Sequence, residues 1–242
     1  MSDSQELSLG RDASASPGRS RSLFRPTFAL AAAVILVLVI LAVRAFLFQP
    51  FSIPSGSMLP TLHVGDQFFV AKYAYGYSRY SLPGSPALFS GRILAAAPER
   101  GDVVAFRLPK DPSVDYIKRV MGLPGDRIQM KDGQLYINDK PVARQQLPDF
   151  VGHDACGSEP SAKVKRWRET LPNGVSYETL DCVDNGFYDN TNVYTVPAGH
   201  FFMMGDNRDN STDSRVQSAV GYIPLENLIG RLSVIFLHGN GR

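Results

Sequence analysis

Cysteine is scarce in this chain: Cys156 and Cys182 are the only two among 242 residues. They form no Cys-x-x-Cys and no Cys/His ligand spacing, so redox-motif and zinc chemistry find no support. Gly-x-Ser-x-Gly, Ser-x-x-Lys and His-Glu-x-x-His are all missing, which removes the nucleophile-elbow, β-lactamase-type and zincin hydrolases. Dense blocks of Lys and Arg are absent too, and the formal net charge is only +2, so no electrostatic case exists for binding nucleic acid. Past Phe48 no segment keeps a long 3.6-residue apolar period, which argues against a helical body. No internal repeat is visible.

One hydrophobic run is long. Phe28 to Val43 holds sixteen residues without a polar side chain, and Ala45 to Phe48 extends it past Arg44. A helix of ~20 residues spans a bilayer core, so Phe28 to Phe48 suffices if Arg44 snorkels to the interface. The run exceeds the ~7–15 residues of a signal-peptide core, so an uncleaved anchor at 27–48 is expected. Arg19, Arg21 and Arg25 flank its N-terminal side without an acid among them, and after Arg44 the next basic residue is Lys72. The positive-inside rule then puts the N-terminus in the cytoplasm and everything after Phe48 outside. Residues 1–26, rich in Ser, Arg, Asp and Gly, read as a disordered cytoplasmic tail.

The remainder reads as mainly β. Short β-type runs at 67–72, 103–108, 116–121, 127–130, 134–137, 201–204 and 232–237 alternate with Gly, Pro and Asp turn signals. Asp132-Gly133 between two such runs predicts a hairpin. The stretch 78–98 is Ser/Pro/Gly-rich and reads as a loop excursion. Residues 143–192 are more polar, hold both cysteines, and read as an inserted subdomain in a body made of 49–142 and 193–242. An exported domain sits in an oxidising compartment, so Cys156 and Cys182 are a candidate disulfide; two unpaired buried thiols are the alternative.

Three stretches can carry chemistry. Pro54-Ser55-Gly56-Ser57-Met58-Leu59-Pro60 places two small hydroxyls on a Gly/Pro-bracketed turn just beyond the apolar run. A serine there is a candidate nucleophile toward membrane-tethered proteins; a plain polar turn is the alternative. In Asp115-Tyr116-Ile117-Lys118-Arg119-Val120-Met121, a two-residue period sets Lys118 among apolar neighbours. Burying an ammonium is costly, and the lysine pKa falls in response, as a general base near neutral pH requires. A snorkelling strand lysine is the alternative. The run Gly205 to Arg215 (GDNRDNSTDSR) resembles a calcium loop in its Asp/Asn content but lacks the Gly and closing Glu of an EF-hand. It suits a hydrogen-bonded scaffold in which Ser211 holds a lysine amine and carboxylates pair with Arg119 or Arg215. A Ser-His-Asp triad on Ser57 is conceivable, yet nothing local marks a histidine; His63 lies six residues on and reads as a surface or interface residue.

These stretches, together with Gly65-Asp66-Gln67-Phe68-Phe69-Val70-Ala71-Lys72-Tyr73-Ala74-Tyr75-Gly76 and Arg100-Gly101-Asp102-Val103-Val104-Ala105-Phe106, resemble the ordered boxes of bacterial type I signal peptidase from about Phe51 to Phe236. The resemblance implies a twisted, mostly antiparallel β-sheet catalytic domain with a β-rich insertion behind one transmembrane helix. It implies a serine endopeptidase, without cofactor or metal, that removes Ala-x-Ala signal peptides from exported preproteins. By position it implies Ser57 as nucleophile, Lys118 as general base, Ser55 as oxyanion partner of the Ser57 amide and Ser211 as the serine that orients the lysine. Asp213 and Arg215 would be a supporting ion pair, and Phe51, Ile53, Pro54, Met58, Leu62, Tyr116 and Ile117 would line the substrate pockets; on the residues themselves, Asp206 and Arg119 are candidate supporting partners and an extended substrate would pair along the strand from Asp115 to Lys118. The implied setting is the bacterial inner membrane, single-pass, with the catalytic domain periplasmic. Preproteins, membrane lipid and a link to the secretion machinery are the implied partners. His63 stands where such proteins usually carry an aliphatic residue. An inactive signal-peptide-binding scaffold and a self-cleaving Ser-Lys protease of the same fold are the competing readings.

Overall fold

A computed structural model describes residues 26–82, 84–86, 89–156 and 163–239; the expected cytoplasmic tail, apart from Pro26, and its arginines lie outside them. The described residues divide into two compact units, one up to Val39 and one from Ile40 onward. Helix α1 (Pro26–Ala42) continues as a π-helical turn, Val43–Leu47. Its stretch Phe28–Leu47 is, by length and composition, able to cross a membrane. The helical path ends at Leu47, and Phe48 instead opens the first strand.

From there the strands pair antiparallel throughout. The strands are β1 (Phe48–Ser52), β2 (Gln67–Ala71), β3 (Val103–Arg107), β4 (Asp115–Gly122), β5 (Arg127–Lys131), β6 (Gln134–Ile137) and β7 (Lys140–Pro141). They continue as β8 (Ala143–Val151), β9 (Lys163–Thr170), β10 (Ser176–Asp181), β11 (Tyr194–Thr195), β12 (His200–Met204), β13 (Ile223–Pro224) and β14 (Leu228–Leu237). A seven-stranded sheet has the order β1-β2-β14-β3-β4-β12-β13, and β11-β5-β6-β7 and β10-β9-β8 form two smaller sheets. The mainly β class expected from the turn spacing is therefore present. The β5–β6 hairpin turns at Asp132 and Gly133, both with positive φ, the backbone that favours Asp-Gly in tight hairpins.

Apolar residues from the central strands supply the core. Val104, Phe106, Val120, Phe201, Met203 and Leu228 pack in one cluster, and Ile53, Met58, Leu62, Phe68, Val70, Val103, Ala105 and Ile229 in a neighbouring one. Burial of such side chains is worth ~1.5–3 kcal/mol each. Strand β4 is central: Val104 faces Lys118 across the β3 ladder, and Met204 faces Arg119 across the β12 ladder. The β12 pairing begins only at Arg119, and among the described residues no strand pairs with the edge of β4 from Asp115 to Lys118 on that side. The polar stretch read as an insertion contains β8, β9 and β10, and Cys156 and Cys182 are joined there by a disulfide.

Candidate active site

Three elements converge on one cleft. Strand β1 delivers the chain to a single 3-10 turn, Gly56–Met58, which carries Ser57. Strand β4 carries Lys118, and the loop after β12 runs from Gly205 to Arg215. Lys118 Nζ donates to Ser57 Oγ at 2.6 Å, within the reach expected of a base and its nucleophile. Both side chains are buried, Lys118 being 4 % and Ser57 8 % exposed. Burial pushes the Lys118 amine down to about 8; Asp213 and Asp206 oppose that shift, and Arg215 assists it.

The Gly205–Arg215 loop is a scaffold built on ion pairs. Asp213 is fully buried and accepts from Arg215 Nε (2.9 Å), Arg215 Nη2 (2.8 Å), the Gly205 amide (3.0 Å) and Ser211 Oγ (2.8 Å). Burial opposes ionisation there, but the Arg215 charge and these donors hold the carboxyl below its ordinary range. Asp206 grips Arg119 through Nε at 2.8 Å. The Ser211 hydroxyl is thus given to Asp213, and among the described residues no hydrogen bond joins it to Lys118. A Cβ at Gly205 would lie 2.2 Å from Ser211 Oγ and 2.6 Å from the Ser57 carbonyl oxygen, so only glycine admits this approach.

Asn207, which no sequence motif marks, ties the loop to the turn that carries Ser57. Its amide N–H donates to the Ser57 carbonyl (3.2 Å), and its side chain donates to Gly56 O (3.1 Å) and Ala155 O (2.5 Å). Ala155 precedes the disulfide, and Asp154 O would stand 2.2 Å from a Cβ at Gly56. Buried Glu169 of β9 likewise pairs with Arg208 of the loop, with Tyr177 of β10 hydrogen-bonded to both. These contacts join residues far apart in sequence, and no local spacing signals them.

The cleft has a volume of about 390 Å³, in the range of small-molecule and peptide sites. Phe51, Pro54, Ser55, Ser57, Asp115, Tyr116, Ile117 and Lys118 line it, with Ser52, Phe68, Ala105, Val114, Asn210 and Thr212 added by the fold. Ile53, Met58 and Leu62 do not reach its surface. They are buried in the cluster that also holds Phe68 and Ala105, because their apolar bulk is spent filling the space behind the wall. A small residue among Val103, Val104 and Phe106 was the one available hint of Ala105. Ser55 is exposed, its Oγ 3.4 Å from Ser57 Oγ, too long for a strong hydroxyl hydrogen bond. Among the described residues, no histidine lines the cleft; His63 sits beside buried Asp66, its Nδ1 3.9 Å from the carboxylate. Among the described residues, no group of three His, Cys, Asp or Glu is placed to hold a metal ion.

The family model described as Signal peptidase, peptidase S26 matches residues 27–237. Signal peptidase I of Rickettsia typhi (strain ATCC VR-144 / Wilmington) is 44% identical over 208 residues, covering 83% of this chain and 76% of that protein. Signal peptidase I of Rickettsia felis (strain ATCC VR-1525 / URRWXCal2) is 44% identical over 209 residues, with coverages of 83% and 76%. A crystal structure of a signal peptidase I from Enterococcus faecalis V583 aligns with 57% of this chain and 98% of that chain at 24% identity, but its TM-score of 0.33 carries no argument. By the family match and by these identities, the chain belongs to the signal peptidase family, peptidase S26, and is an enzyme of that family.

Proposed function

We propose that this enzyme is a membrane-bound endopeptidase that cuts Ala-x-Ala signal peptides from exported preproteins with a Ser57/Lys118 dyad. The observation that carries the reading is the 2.6 Å bond from Lys118 Nζ to Ser57 Oγ in a buried cleft. With a pKa of about 8, roughly one lysine in ten is neutral at pH 7. Neutral Lys118 takes the Ser57 proton as the oxygen attacks the scissile carbonyl, then returns it to the leaving amine. The Ser57 amide and the Ser55 hydroxyl receive the developing oxyanion, for which Ser55 need only turn from Ser57 Oγ toward the cleft. Water then hydrolyses the acyl-enzyme with Lys118 again as base.

Substrate enters as an extended strand between the 52–55 segment and the unpaired Asp115–Lys118 edge of β4, adding to the sheet by backbone hydrogen bonds. The apolar side chains of Phe51, Phe68 and Ile117 line the cleft together with the small Ala105, a lining that suits small apolar side chains and supports the Ala-x-Ala preference. The helix Phe28–Leu47 holds the enzyme in the bacterial inner membrane, N-terminus cytoplasmic and β body periplasmic, beside membrane lipid and the secretion machinery that delivers preproteins. The test incubates an Ala-x-Ala preprotein in detergent with wild type, Ser57→Ala, Lys118→Ala and His63→Ala. Cleavage by wild type and His63→Ala alone is expected. Cleavage that survives Lys118→Ala and vanishes in His63→Ala would sink the dyad.

A further inference from the structure

A helix that ends at a bilayer surface leaves its last carbonyls without intrahelical donors, and unsatisfied carbonyls are costly beside lipid. Here the β fold supplies those donors. Lys72 Nζ donates to Arg44 O (3.2 Å) and Ala45 O (3.3 Å), and Tyr77 Oη donates to Phe46 O (2.8 Å). Three consecutive carbonyls of the last turn are therefore capped by two side chains of one short segment, 72–77. Lys72 is only 1 % exposed, and its hydrogen bonds go to carbonyls rather than to a carboxylate. That is an unusual place for an ammonium unless it faces the negative end of a helix. Burial, then the Arg44 guanidinium, push the amine down to about 8, so most of it remains charged at pH 7. Ring contacts reinforce the junction: Phe46 meets Tyr77 edge to face at 6.2 Å, and Phe48 meets Tyr73 at 5.8 Å. Phe48 also pairs with Ala71, the residue before Lys72.

We propose that Lys72 and Tyr77 are positioning residues that lock the last turn of the apolar helix, Arg44–Phe46, onto the β fold, and so set the height above the bilayer at which Ser57 meets a membrane-inserted substrate. The proposal rests on the reading of the enzyme as a peptidase acting on such substrates. Between Leu47 and Ser57 the chain can span at most about 36 Å when extended, so a free junction allows Ser57 a wide range of heights. Caps on Arg44, Ala45 and Phe46, followed at once by the β1–β2 ladder, remove that freedom. A signal peptide held in the bilayer presents its cleavage site at one depth, and only the locked junction brings Ser57 to it. A short peptide in solution carries no such constraint.

The test uses the full chain reconstituted in vesicles of phosphatidylethanolamine and phosphatidylglycerol, as wild type, K72M, Y77F and the double variant. Each is given a preprotein inserted through its signal sequence and, separately, a soluble Ala-x-Ala decapeptide. The double variant should lose about tenfold in kcat/KM or more on the inserted preprotein, in the range by which small misplacements cost rate, while decapeptide cleavage stays within about twofold. Equal losses on both substrates would mark a general structural role and overturn the proposal, as would no loss on either. Unchanged decapeptide cleavage also reports that the variant is folded, and Y77F offers the milder arm. Wild type that cuts neither substrate would instead refute the peptidase reading, and the positioning role with it. A second readout is a preprotein with another Ala-x-Ala nearby: mass spectrometry should show one cut by wild type and both cuts by the double variant. A single unchanged cut in all variants overturns the positioning role.

Discussion

As the base of the proposed dyad, Lys118 answers two opposed demands: it must be buried to lose its proton and yet stay within reach of Ser57. The resulting pKa of about 8 makes two predictions. The pH profile of kcat/KM should rise through about 8 as the base deprotonates, measured on a decapeptide to exclude effects of the membrane. Stability should respond in the same window. A lysine in the unfolded chain titrates near 10.4, so between about 8 and 10.4 the unfolded state holds more protons and stability rises with pH. Below 8 both states are protonated and the burial penalty is fully present. Lys118→Met should therefore abolish cleavage yet raise thermal stability at pH 7, by on the order of 3 kcal/mol at most. A melting temperature below wild type would show that the amine is not held at a cost. Ser55→Ala should lower kcat by roughly 10²–10³-fold with little change in KM, the usual cost of losing one oxyanion donor, and a change confined to KM would remove Ser55 from that role.

At the scale of elements, the Gly205–Arg215 loop depends on strands outside the central sheet. Glu169 and Arg208 are both nearly buried, so Glu169→Gln leaves a guanidinium uncompensated and should cost roughly 3–5 kcal/mol in denaturant unfolding. A loss under 1 kcal/mol would mean that the pair is open to water. The disulfide acts on the same region from the other side, since Ala155 beside Cys156 accepts from Asn207 and Asn207 grips Gly56 and Ser57. Cys156→Ser should therefore lower kcat more than it alters KM, in addition to a stability loss of about 2–4 kcal/mol. These links were illegible in the sequence. Strands β8–β10 carry sequences such as KVKRWRET, charged on both faces, and no clean alternation announces them. Strands β2, β3, β4 and β12 were legible because they bury one face or both and are bounded by Gly, Pro and Asp turns.

For the whole molecule, the orientation proposed for the anchor makes its own prediction. Protease added to the outer face of spheroplasts should digest the β body while an epitope tag at the N-terminus survives on a membrane-protected fragment; loss of the tag would reverse the topology. Length, composition and charge asymmetry around 28–48 were sufficient for that proposal, since a bilayer selects on those properties alone. The sequence by itself determined the β class, the membrane-compatible helix and the small set of residues proposed to bear the chemistry. Each follows from local patterns: period, turn residues, and motif order. Only the tertiary structure decided which of those residues meet. It set Lys118 against Ser57, gave the Ser211 hydroxyl to Asp213 rather than to the amine, withdrew Ile53, Met58 and Leu62 behind the cleft wall, and brought Lys72 to the end of the helix. Such pairings turn on strand register and on which groups are left buried without a partner, and both are properties of the packed chain as a whole.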